Sequence, residues 1–124
     1  MGNAIAIDGL GSAYVAGYSL GSFPTTPGAY RTTYAGGGAD AVVFKLSPSG
    51  GALAYATYLG GQAADNAEAI AVDGAGEAVV IGYARDGTFP TTPGAYQRAY
   101  GGGDSDLFAT RLNAAGSALV WSTL

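Results

Sequence analysis

The chain has 124 residues, 48% of them hydrophobic and only 11% charged, with a net charge of −4. It contains no Cys and no His, which excludes disulfides, thiolate zinc sites, His-ligated metals and Ser-His-Asp catalysis. Its five basic residues form no run or patch, so neither nucleic acid nor an anionic membrane surface is expected as a partner, and no apolar run nears the ~20 residues that span a bilayer.

The first predicted strand is AIAID, Ala4–Asp8, followed by a tight turn through Gly9, Leu10 and Gly11. AYVAGY (Ala13–Tyr18) is the second strand. A long segment, Ser19–Ala39, then carries FPTTPGAY at Phe23–Tyr30. Phe23 precedes a proline and is held extended. Thr26 before Pro27 has the form of a helix N-cap followed by proline at the first helical position, which predicts one helical turn. AVVFKL, ending at Leu46, and LAYATYL, Leu53–Leu59, are the third and fourth strands, joined by the turn Ser47-Pro48-Ser49-Gly50. All four are short, rich in Val, Ile, Tyr, Phe and Ala, and bounded by turn residues.

After a linker the pattern begins again. AIAVD (Ala69–Asp73), AVVIGY ending at Tyr83, a second FPTTPGAY at Phe89–Tyr96, LFATRL ending at Leu112 and ALVWSTL ending at Leu124 follow in the same order. The offset is 65 residues up to a one-residue insertion near Arg85 and 66 after it, and more than half of the aligned positions are identical. The chain is therefore two copies of one unit of four antiparallel strands. Four-stranded antiparallel units in tandem point to an all-β fold, the β-propeller, with two blades per chain. Residues 1–60 form the first blade, 61–66 the inter-blade linker and 67–124 the second blade. Bulky residues of the second and third strands are expected to fill the space between blades.

Strand direction puts the tight turns at one end of each blade and the long segments at the other. Long loops on a rigid scaffold commonly carry recognition. Phe23, Tyr30 and Tyr34, with Phe89, Tyr96 and Tyr100 in the second copy, are the candidate ligand-binding residues, an aromatic surface for sugars or peptides. The competing reading packs them down as an anchor under the loop. Asp8 and Asp73 fit turns in which the carboxylate accepts backbone N–H groups, rather than metal ligands. Asp40 and Asp106, which could hold Ca²⁺, fit caps at the start of the third strand. Asp104-Ser105-Asp106 occurs in the second copy only. The GGG runs lack the Lys-Ser/Thr of a phosphate loop. Lys45 and Arg111 occupy equivalent positions and are expected to be solvated or paired. No pair of acids is placed together in both copies, so no enzyme activity, metal or cofactor is expected.

GNAIAIDGLGSAYVAGY, FPTTPGAYRTTYAGGGADAVVFKLSPSG and ALAYATYLGG together resemble the bacterial SBBP β-propeller repeat, and the first half is also similar to the NHL blade pattern. The resemblance implies a propeller with a secreted or cell-surface bacterial parent, and no particular chemistry. No signal peptide opens this chain, so by itself it is expected in the cytoplasm. About four blades is the smallest closed ring, and two blades leave two apolar faces uncovered. Either the chain is a fragment of a longer propeller or several chains close a ring together; the expected partner is the chain itself, as a homotrimer or homotetramer that closes six or eight blades. A glycan or protein ligand on the long-loop face is the alternative.

Overall fold

The computed structural model describes residues 1–124 as two four-stranded antiparallel sheets and no helix. The first sheet holds β1 (Gly2–Ile7), β2 (Ala13–Ser19), β3 (Asp40–Leu46) and β4 (Leu53–Leu59). The second holds β5 (Asp65–Val72), β6 (Ala78–Ala84), β7 (Asp106–Leu112) and β8 (Leu119–Thr123). Each sheet is a meander in chain order, as expected when each strand is joined to the next by a turn or loop on its own edge. β5 starts at Asp65, so the strand takes up the last two residues of the predicted linker.

The two copies share their irregularities as well as their strands. The first pair of each sheet shifts register at the same place, between Gly2 and Ala4 and between Ala67 and Ala69. The third pair shifts between Lys45 and Leu46 and between Arg111 and Leu112. The β1–β2 and β5–β6 turns also agree. Asp8 Oδ1 accepts N–H groups of Leu10 and Ser12, each at 3.0 Å. Asp73 Oδ1 accepts those of Ala75 and Glu77 at 2.9 and 3.0 Å. Both aspartates are turn formers.

The expected helical turn in FPTTPGAY is absent, and a β-turn stands in its place. The N–H of Ala29 donates to the Thr26 carbonyl and that of Ala95 to the Thr92 carbonyl, each at 3.2 Å. Pro27 and Pro93 hold the first corner, and Gly28 and Gly94 hold the second at φ +79° and +82°. Proline followed by a residue with positive φ is the signature of a type II turn. Thr-Pro begins a helix and this turn equally well; the glycine after it decides.

One apolar core lies between the sheets. Tyr14, Ala16, Ala41, Val43, Tyr55 and Leu59 of the first sheet meet Ala67, Val80, Phe108 and Leu112 of the second. Burying one such large side chain is worth roughly 1.5–3 kcal/mol, so the seam between the two sheets contributes to the chain's stability. The sheets pack face to face in tandem, as propeller blades do.

Candidate functional site: the blade faces

The long loop of each copy folds down over the outer strand of its own blade. In the first blade the Thr26 N–H donates to the Ala56 carbonyl at 3.1 Å, and Thr26 Oγ1 accepts from the Ala56 N–H at 2.9 Å. Further along, Tyr58 N–H donates to the Arg31 carbonyl at 3.0 Å, and Arg31 N–H to Thr57 Oγ1 at 2.9 Å. The second blade repeats the set with Thr92 on Ser122 and Gln97 on Thr123 and Leu124. The long loop thus lies along the outer edge of β4 and β8, where Thr26 and Arg31, and Thr92 and Gln97, bond backbone groups that the sheet leaves unpaired.

Between blades the octamer has a second contact. Tyr30 N–H donates to the carbonyl of Gly116, in the β7–β8 turn of the next blade, at 2.8 Å. The same turn receives the Tyr55 ring. A Cβ placed on Gly116 would lie 2.4 Å from that ring, and Gly116 sits at φ +65°. Only glycine gives both the conformation and the room. Asp65 N–H to the Ala39 carbonyl at 2.8 Å, Gln62 N–H to Thr88 Oγ1 at 2.5 Å and Asn3 Nδ2 to the Ala67 carbonyl at 2.9 Å complete the polar rim of the seam.

The seam uses one face of each blade, and the other two faces remain open. On the second blade the open face carries Ile81 (48% exposed), Leu107 (78%), Trp121 (37%) and, beside them, Tyr96 (97%). Their counterparts in the first blade are Ala16, Ala41, Tyr55 and Tyr30. Ala16 and Ala41 are fully buried, Tyr55 is 2% exposed, and Tyr30 packs against the core. On the first blade the open face carries Ile5 and Ile7, whose counterparts Ile70 and Val72 lie against the core. The chain therefore displays, unpaired, both halves of the contact it makes internally. Cavities line the second open face, one of about 230 Å³ beside Ile81 and Leu107 and one of about 170 Å³ between Tyr96 and Trp121.

The six aromatic candidates do not form one surface. Phe23 packs on Phe44 and Tyr58, with ring centroids 6.1 and 5.6 Å apart, and Tyr34 also lies on Tyr58, at 6.0 Å. Phe89 is buried and stacked on Phe108 at 4.2 Å. Tyr100 donates its hydroxyl to the Gly103 carbonyl at 2.9 Å. Tyr30 is drawn to the seam, and Tyr96 stands free.

The charged residues are largely matched. Lys45 lies 3.8 Å from Asp8 and 4.9 Å over the Tyr14 ring. Arg111 pairs with Asp73 and Glu77. Burial works against ionisation of Asp8, but the N–H groups of Ser12 and Leu10, the Tyr14 hydroxyl and the Lys45 ammonium outweigh it, and its pKa falls below the ordinary value. Asp73 is lowered too, first by the Glu77 N–H. Asp40 and Asp106 are caps: their Oδ2 atoms accept the N–H of Ala35 and of Gly101, each at 2.6 Å.

One group went unnoticed in the sequence. Asp65, in the seam, is 1% exposed. Its Oδ2 accepts the Gly61 N–H at 2.6 Å, while its Oδ1 has no partner, as is also true of Asp40 Oδ1. Burial, with the charges of Asp40 and Asp86 adding to it, raises its pKa to about 7 against the pull of Gly61 N–H and Arg31. No motif marks it, because its burial arises only when two blades close over the linker.

Residues 2–24 match the family model of the SBBP beta-propeller repeat. The match takes in β1, β2 and the loop as far as Phe23-Pro24. No curated protein matches the chain.

Proposed function

We propose that this chain is a non-enzymatic propeller scaffold whose two open faces are closed by further copies, head to tail, into a ring of six or eight blades. One observation carries the reading: the side chains exposed on the second blade are the positional counterparts of those buried on the first. A face that already has a partner inside the chain needs no new chemistry to gain one outside it. Such a contact is heterologous, and it closes into a ring when the rotation per step divides a full turn. Faces supply the association energy through apolar burial. The engagement of Asp8, Asp73, Asp40 and Asp106 in turns and caps supports a structural use of the carboxylates over a catalytic one.

Absolute mass by light scattering after size exclusion tests the proposal. A single species at three or four times the 12.2 kDa chain is the expected result. A stable single chain at micromolar concentration would overturn it.

A further inference from the structure

The internal seam also defines what its external copy has to look like at one point. Tyr55 and the Tyr30 backbone of the first blade converge on Gly116 of the second. The counterparts of Tyr55 and Tyr30 are Trp121 and Tyr96, and the counterpart of Gly116 is Gly50. All three are vacant: Tyr96 is 97% and Trp121 37% exposed, and a Cβ on Gly50 would meet nothing within 4 Å. Gly50 holds φ +70°, close to the +65° of Gly116, so the turn already has the receiving shape. The cavity between Tyr96 and Trp121 lies where the counterpart of that turn would enter.

We infer that Tyr96 and Trp121 form a clasp for the β3–β4 turn of a second copy of this chain, with the Tyr96 N–H donating to the Gly50 carbonyl and the indole lying over Gly50 where no Cβ can be tolerated. The inference rests on the head-to-tail reading above and adds the polarity and the contact residues. The occupant is a second copy rather than an unrelated protein, because the seat and the inserted turn are both present in the sequence and are already joined once within it. The larger indole at position 121 in place of the Tyr55 phenol widens the cover over the turn.

The test uses the full chain and its single tryptophan. Gly50→Asn keeps the left-handed turn, since Asn is among the residues that adopt it, but places atoms where the indole must lie. Gly28→Asn is the control: Gly28 has φ +79° with no atom within 4 Å of its Cβ position, and lies outside the clasp. The unaltered chain and Gly28→Asn should assemble alike, with Trp121 emission blue-shifted and protected from acrylamide as concentration rises. Gly50→Asn should weaken assembly on the order of 10-fold or more and leave Trp121 open to quencher. Tyr96→Pro, which deletes the donating N–H, and Trp121→Ser should do the same, and they decide the matter if Gly50→Asn fails to fold. If the unaltered chain assembles and all three variants assemble equally well, the clasp is wrong and the ring reading stands. If the unaltered chain never assembles, both fall.

Discussion

Tyr30 and Tyr96 close the same eight-letter word, yet one lies against the core and the other is 97% exposed. Tyr55 and Trp121 repeat the contrast one strand away, at 2% and 37%. Within each blade the two copies behave alike, down to the threonine that straddles the outer strand. The difference appears only where a neighbouring blade is or is not present. In a tandem repeat, then, local sequence sets the interior of each unit, and position in the array sets the fate of its faces.

The largest effect should come from breaking the matched side of that contrast. Tyr55→Ala should cost about 3–5 kcal/mol in chain stability, the usual range for emptying a buried aromatic site, measured by urea denaturation at a concentration that keeps chains apart. Trp121→Ala should cost far less under the same conditions. Tyr55→Phe should be neutral or stabilising, because the Tyr55 hydroxyl is buried without a partner.

Next comes the receiving glycine. Gly50→Ala should incur only the left-handed strain, roughly 1–2 kcal/mol. Gly116→Ala should add overpacking of about 1–3 kcal/mol against the Tyr55 ring. Equal costs at the two sites would remove the contrast.

The outer-strand threonines should show no contrast. Thr26→Val and Thr92→Val each withdraw the acceptor from a backbone N–H, at about 1–3 kcal/mol, and the two values should agree. Unequal values would mean that the loops depend on the neighbouring blade as well.

The seam should also respond to pH. Asp65 has a folded pKa near 7, above the ordinary 3.8. Between those two values the folded chain holds a proton that the unfolded chain has lost, so stability falls as pH rises through that window and is level above it. Asp8 and Asp73, with lowered values, act oppositely and only below about pH 4, so the two trends separate. Thermal melts from pH 4 to 8 should show the decline, and Asp65→Asn should flatten most of it.

Much of this fold was legible in the sequence. All eight strands follow from short β-branched and aromatic runs between turn residues, and the second copy confirms each element of the first. Asp8 and Asp73 were readable as turn formers because the following Gly11 and Gly76 complete a local pattern. What escaped was non-local. Thr26-Pro27 reads as a helix start until Gly28 is seen at positive φ, and nothing in FPTTPGAY says that Thr26 will pair with Ala56, 30 residues on. Gly116 reads as a turn residue, and its second duty becomes visible only with the Tyr55 ring against it. Asp65 sits in a polar linker and is hidden only because Gly60, Gly61 and Ala39 close around it.

The loop laid along β4 and β8 has a consequence for how such chains can grow. An unpaired outer strand invites another strand to add to it, and repetition of near-identical units would then favour open-ended fibrils. Here each unit brings its own cover for that strand, from the octamer and the residue after it, so lateral addition at β4 and β8 is obstructed before a neighbour arrives. A gene that copies this unit therefore copies the cover of its outer strand with it, and the eight letters that first mark the duplication supply part of that cover.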